Sequence, residues 1–227
     1  SQAWVWAIRR NGARIYEHTT VTGIGVQDDR VTHVETTAGS IRGEKVVIAA
    51  GPWANSITSM VGLYLPVVPL KIQMLCTLPV PPLATCTWAG NGLYCRQAAA
   101  GHLHFGAGRG QRQNLQHDID KPTSATIMRG TAKRFVELVP SMAEAPVLRS
   151  WAGIIDSTPD YMPIIDKLDS PEGLYVNVGF AGIGFSQSPG AGKAMSDLVV
   201  DGECSFDISG LNLGRFAGVT DFDPDED

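Results

Sequence analysis

Gly179-Phe-Ala-Gly-Ile-Gly-Phe-Ser-Gln-Ser-Pro-Gly-Ala-Gly-Lys193 is the stretch on which the reading of the chain turns. The hydrophobic run Gly173-Leu-Tyr-Val-Asn-Val178 leads into it, and a small-residue amphipathic segment from Ala191 to Val200 leads out. That order is strand, glycine-rich loop, helix. Glycines at 179, 182 and 184 admit unusual backbone angles and let a flat or charged ligand approach the main chain. Pro189 suits a first helical position, and a first turn offers free N–H groups to an anion. Two readings stay open on the loop alone: a ligand cradle, or a tight turn that needs glycine only for packing. Lys193 does not make it a phosphate-binding P-loop, because Gln187 stands where the first glycine is needed and Ala194 replaces the Ser or Thr.

Bulk properties narrow the field. The 227 residues suffice for one or two domains, and 44% hydrophobic with 18% charged residues is the composition of a globular protein. A net charge of −5 without a basic tract argues against a nucleic-acid partner. No apolar run approaches the roughly 18 residues of a membrane span. Cys76, Cys86, Cys95 and Cys204 lack metal-binding spacing, which suggests a reducing compartment and a cytoplasmic location. The start, Ser1-Gln-Ala-Trp-Val-Trp, has no signal-peptide pattern and opens as if within a helix, as a fragment or processed piece would.

Periodicity then places the elements. A helix carrying Trp4, Ala7 and Ile8 closes at Asn11-Gly12, and strands are expected at Ala13-Arg-Ile-Tyr, Thr20 to Val26 and Arg30 to Thr37. A further strand begins at Ile41. The continuous apolar run Lys45-Val-Val-Ile-Ala-Ala50 reads as a parallel-sheet strand buried on both faces, followed by a short helix from Asn55 to Met60. A proline-rich region surrounds the β-prone segment Lys71 to Thr77. Gly92 to Gln97 and Gly101 to Gly106 form a hairpin, Ser124 to Val139 a helix, and Val147 to Ile155 a strand. Asp221 to Asp227 reads as a disordered acidic terminus. The fold class expected is α/β (α+β): residues 1–56 and 149–203 form one split layered domain, 57–148 an antiparallel insertion, and 204–227 a tail.

Three motifs can now be read together: Val46-Val-Ile-Ala-Ala-Gly-Pro-Trp-Ala54, Trp151-Ala-Gly-Ile-Ile-Asp-Ser-Thr-Pro-Asp-Tyr-Met-Pro-Ile, and the opening loop with its Ser188-Pro-Gly-Ala-Gly192 extension. In this order and spacing they resemble the D-amino-acid oxidase family of flavoproteins. Within it they look most like the sarcosine oxidase β-subunit and the opine or D-amino-acid dehydrogenase branch. The resemblance covers roughly residues 1 to 216 and implies FAD as cofactor, bound by a Rossmann-like domain of which the first strand and its GxGxxG turn have no match here. On family proportions roughly 150 to 190 residues of that fold would lie elsewhere, which implies a companion chain or N-terminal segment.

The resemblance assigns roles to particular residues. Val21 matches the valine whose backbone meets the adenine, and Ala49, Ala50, Gly51 and Trp53 match the small-residue strand end along the dinucleotide. Gly182, Ile183, Gly184, Phe185 and Ser186 match the loop under the flavin ring. Gly153 falls where some relatives carry a cysteine bonded to FAD, so no covalent link is expected. Ile155 stands where others place a carboxylate-clamping arginine, which leaves Arg96 as a candidate for that task, beside the plainer reading of a solvated strand arginine. His104 falls where a lysine activates oxygen in monomeric sarcosine oxidase, and Lys71 is a lesser candidate. His102 and His104 share a strand face but have no third metal ligand nearby, so no metal is expected. Asp156, Asp160 and Asp166 read as turn caps, not acid–base groups. The implied activity is oxidation of the C–N bond of a small amino acid or secondary amine (sarcosine, opine, D-amino acid or glycine type). The flavin takes the hydride, and the imine is then hydrolysed. The alternative is a non-catalytic assembly module that keeps the fold.

Overall fold

A computed structural model describes residues 2–108, 110–115, 122–219 and 222. The expected acidic terminus, apart from Phe222, lies outside these residues. The elements in order are α1 (Gln2–Arg10), β1 (Val21–Gln27), β2 (Arg30–Thr36), β3 (Gly39–Arg42), β4 (Val46–Ile48), α2 (Ala54–Thr58), β5 (Val68–Pro79), β6 (Trp88–Gly90), β7 (Leu93–Gln97), β8 (His102–Ala107), β9 (Gln111–Arg112), α3 (Ala125–Leu138), β10 (Val147–Ser157), β11 (Ile164–Lys167), β12 (Leu174–Val178) and α4 (Gly184–Val200). Helix and sheet are mixed throughout, as expected.

Three sheets result. β1, β2 and β3 form an antiparallel meander, and β11, β12 and β4 a small mixed sheet in which β4 runs parallel to β12. The third runs β10-β5-β8-β7-β6, with β9 also on β5. Each has its own apolar packing. Ile24, Val31, Ile48, Leu65, Leu174, Val176 and Phe216 fill the space between the first two sheets and the α2 region. Ile165 and Tyr175, on the other face of the small sheet, meet Ala191, Ala194 and Met195 of α4. Leu75, Leu93, Leu103 and Phe105 pack under α3, where Phe105 and Phe135 stack with centroids 4.1 Å apart. Ser124 caps α3, its Oγ accepting from Ile127 N at 3.5 Å.

Three expectations need correction. Ala13–Tyr16 forms no strand: Tyr16 is 52% exposed and the run has no sheet neighbour, so β propensity has nothing to pair with. The apolar run at 45–50 is a parallel strand, but it ends its sheet, and Val47 is 40% exposed. Pro189 lies inside α4, not at its start. A proline there cannot donate to the carbonyl four residues back, and the Ser188 hydroxyl donates to that Phe185 carbonyl at 2.8 Å. Ser186 does the same for the Ile183 carbonyl, also at 2.8 Å. Ser188, by serving the one carbonyl that the proline frees, lets the helix begin a turn earlier than the proline rule suggests.

The segment after α4 is anchored. Asp197, only 5% exposed, forms an ion pair with Lys193 and accepts from the Ser205 hydroxyl at 2.6 Å and the Ser205 N–H at 3.2 Å. These partners, Lys193 first, hold its carboxyl down at about 2. A depressed carboxylate stabilises the fold above its unfolded value of about 4, and that contribution is lost as pH falls through the folded value. Acid titration followed by circular dichroism should therefore show stability falling between pH 4 and 2, and Asp197→Asn should flatten that limb while lowering stability at neutral pH. Further along, Arg215 donates to Asp160 Oδ2 at 2.8 Å and to the Met162 and Pro163 carbonyls at 2.7 and 3.1 Å. Among the described residues no helix is long and apolar enough to cross a membrane.

Candidate functional site

The three sequence motifs meet at Asp156, near the end of β10. Its Oδ2 accepts from Gly179 N at 2.6 Å, and its backbone carbonyl accepts from Ala181 N at 2.8 Å. A Cβ built on Gly51 would lie 3.9 Å from the same carboxylate oxygen, and one on Gly182 would lie 3.6 Å from Ile155 Cγ2. Asp156 thus latches the glycine loop to β10 beside the Gly51 turn. Like Asp156, Asp160 and Asp166 bond backbone N–H groups: Asp160 that of Met162 at 3.0 Å, Asp166 that of Leu213 at 2.7 Å. Burial opposes ionisation of Asp160, yet Arg215 and the surrounding donors hold its carboxyl below the usual range.

The loop itself is strained and open. Ala181 holds a φ of 49°. Beyond it Ile183 is 52% and Phe185 83% exposed, large apolar side chains left to solvent just where α4 begins. No side chain caps this helix start, and among the described residues the N–H groups of Gly184 and Phe185 have no backbone acceptor, as befits the first turn of a helix. Ser186 is turned back on the Ile183 carbonyl and does not offer its hydroxyl to a ligand. Separately, Val21, Ala49 and Ala50 line an apolar hollow of about 420 Å³ with Ile24, Ile48 and Ile57. Trp53 stands at the N-terminus of α2. These features fit a dinucleotide: small side chains along the hollow, and uncapped N–H groups at a helix start for an anionic ring edge. Gly153, mid-β10, has nothing within 4 Å of where a Cβ would sit.

His104 and Arg96 sit apart from the loop, directly paired across β8 and β7. With Met74 and Tyr94 they line an open cavity of about 500 Å³ on the sheet face opposite α3. His104 Nε2 lies 3.8 Å from Cys76 Sγ, and its ring meets Trp151 edge-on at 5.8 Å. Burial first, then the Arg149 and Arg96 guanidiniums and His102, push His104 below its ordinary value, which favours its neutral form. His102 is turned to the Thr77 carbonyl, 2.9 Å from its Nδ1. Among the described residues no three His, Cys, Asp or Glu side chains gather as a metal site. Lys71 lines a cavity with Gly130 and Thr131 of α3, on the other side of the sheet from His104. Sequence reading passed over Arg149 and Tyr94. The alternation Arg149, Trp151, Gly153, Ile155 carries the signal for the first, since every second residue of a strand shares a face.

The latched glycine loop, the small-residue strand end and the uncapped helix start together make a candidate dinucleotide site. The family profile described as FAD dependent oxidoreductase matches residues 2–198, and the chain belongs to that family. Glycine oxidase of Geobacillus kaustophilus is 34% identical over 218 residues, covering 95% of this chain and 56% of that protein. Sarcosine oxidase subunit beta of an Arthrobacter species is 33% identical over 224 residues, covering 94% and 53%. Among solved structures, L-proline dehydrogenase from P. horikoshii superposes with a TM-score of 0.86 at 26% identity, covering 95% of this chain and 58% of that one. The glycine oxidase of Geobacillus kaustophilus gives 0.82 at 32%, covering 94% and 56%. The chain therefore spans little more than half the length of these relatives.

Proposed function

We propose that this chain supplies the flavin-loop and substrate-binding parts of an FAD-dependent enzyme that oxidises the C–N bond of a small amino acid or secondary amine. The observation that carries this is the junction at Asp156, where the Gly51 turn, β10 and the glycine loop converge. Val21, Ala49, Ala50, Gly51 and Trp53 would lie along the dinucleotide, and Gly182, Ile183, Gly184, Phe185 and Ser186 under the ring, chiefly through backbone groups. Gly153 keeps β10 free of bulk at that level. FAD, when bound, supplies a two-electron acceptor. Neutral His104 can accept a hydrogen bond from the substrate nitrogen and so orient it, and Arg96 can hold a carboxylate.

Residues 1–56 and 149–203 would belong to the flavin side and 57–148 to the substrate side, with β10 shared between them. A companion chain or N-terminal segment would complete the cofactor site beside β4, whose outer edge is unpaired among the described residues. The four cysteines are unpaired, which supports a reducing, cytoplasmic setting. The test is the visible spectrum of the purified protein, with and without a copurifying chain. A flavin spectrum bleached by an added amino acid is expected. A colourless protein that stays apo with FAD, even beside its partner, would overturn the reading.

A further inference from the structure

The open face of the large sheet carries two in-register rows of side chains. In one, Arg149 of β10 pairs with Cys76 of β5, Cys76 with His104 of β8, and His104 with Arg96 of β7. In the next, Trp151 pairs with Met74, Met74 with Gly106, and Gly106 with Tyr94. Directly paired residues of neighbouring strands project from one face, so these rows form a single platform. Gly106 keeps it flat: a Cβ there would strike Met74 Sδ at 2.5 Å and Tyr94 Oη at 2.6 Å.

The charge on this platform is one-sided. None of the residues in the two rows is acidic, although the chain as a whole carries 23 acidic against 18 basic residues. Neither arginine makes an ion pair with a carboxylate among the described residues. At the usual strand spacing their Cα atoms stand about 14 Å apart with His104 between them, and both side chains are long enough to lean inward. The Arg149 guanidinium lies 5.3 Å from the Trp151 ring centroid, beside the imidazole that meets the same ring. The fields of both guanidiniums reach His104. A ligand with one carboxylate would engage one arginine and leave the other unanswered.

We propose that the substrate of this platform carries two carboxylates, one held by Arg149 and one by Arg96, with its amine nitrogen between them at His104. The chemical class is an amino dicarboxylate whose nitrogen links two carboxyl-bearing arms. This rests on the amine-oxidising function proposed above and narrows its substrate.

Calorimetric titration of the full protein tests it with two ligands that cannot be oxidised as amines. Thiodiacetate carries two carboxylates about a sulfur, and (methylthio)acetate carries one. Thiodiacetate should bind about tenfold more tightly. Arg149→Gln and Arg96→Gln should each bring the two ligands to within about twofold of one another, while Arg149→Lys keeps part of the preference. Equal affinities in the unsubstituted protein, no binding of thiodiacetate, or a preference that survives both glutamine variants would overturn the proposal. The comparison of ligands on the unsubstituted protein decides the matter even if a variant does not fold. Flavin bleaching by amines without a dicarboxylate preference sinks this inference alone. A preference without bleaching by any amine sinks the oxidation reading alone.

Discussion

Gly179→Ala should unfold the protein at markedly lower urea and strip it of flavin. Gly179 has a φ of +82°, and a Cβ there would come within 2.5 Å of Thr158 Cγ2. Thr158 is fully buried and cannot step aside: its hydroxyl donates to the Met162 carbonyl at 2.8 Å and lies 3.2 Å from Asp160 Oδ1. A left-handed non-glycine residue costs about 1–2 kcal/mol and an overpacked core about 1–3 kcal/mol, so a loss of about 3 kcal/mol is expected. The same shift would pull Gly179 N from Asp156 and unlatch the loop. Adding Thr158→Ser removes the obstructing methyl but not the backbone strain, and should recover about half of the loss. A Gly179→Ala protein as stable as the parent would refute this account of the junction.

The second large effect is expected at the back of the platform. Phe135 of α3 is 2% exposed and stacks on Phe105, whose neighbours His104 and Gly106 face the open side. Phe135→Ala removes a ring from a packed interface and should cost about 3–5 kcal/mol, read from denaturant unfolding. Because the sheet is one layer thick, the loss should also loosen the register of Arg149, His104 and Arg96. Weaker thiodiacetate binding in the fraction that remains folded is the second readout. Phe135→Leu fills most of the space and should restore much of both.

Much of this could be read from the residues themselves. The turn at Ala98 to Gly101 between two alternating runs foretold β7 and β8, and the apolar period of helical spacing between Ser124 and Val139 foretold α3, though not Ser124 as its cap. The parallel partnership of the 46–48 strand was legible from its unbroken apolar run; its place at the end of a sheet was not, because burial depends on what lies beside a strand. Pro189 misled because the helix rule considers only the lost N–H, whereas Ser188 supplies a donor for the freed carbonyl. The Asp156 latch was hidden for a related reason. An aspartate among prolines looks like any turn residue until the chain brings Gly179 to it. Arg149 escaped notice because a lone arginine in a strand says nothing; its pairing through Cys76 to His104 exists only once four strands are in register.

The small sheet also has a history in time. β4 pairs with β12 through residues 46–48 and 174–176, so everything from α2 to β11 must be looped out before that contact forms. The hairpins β6-β7 and β7-β8 have no such wait, since their partners are close neighbours along the chain. Local contacts form first and distant ones bear the entropy of closing a long loop. The β6-β7-β8 part of the large sheet would therefore take shape early, β10 can join β5 only after the chain between them is looped out, and the β4–β12 pairing, at greater separation still, would come last. In refolding, the amides of β7 and β8 should gain protection from hydrogen exchange before those of β4 and β12, so that the small sheet reports the final step of folding.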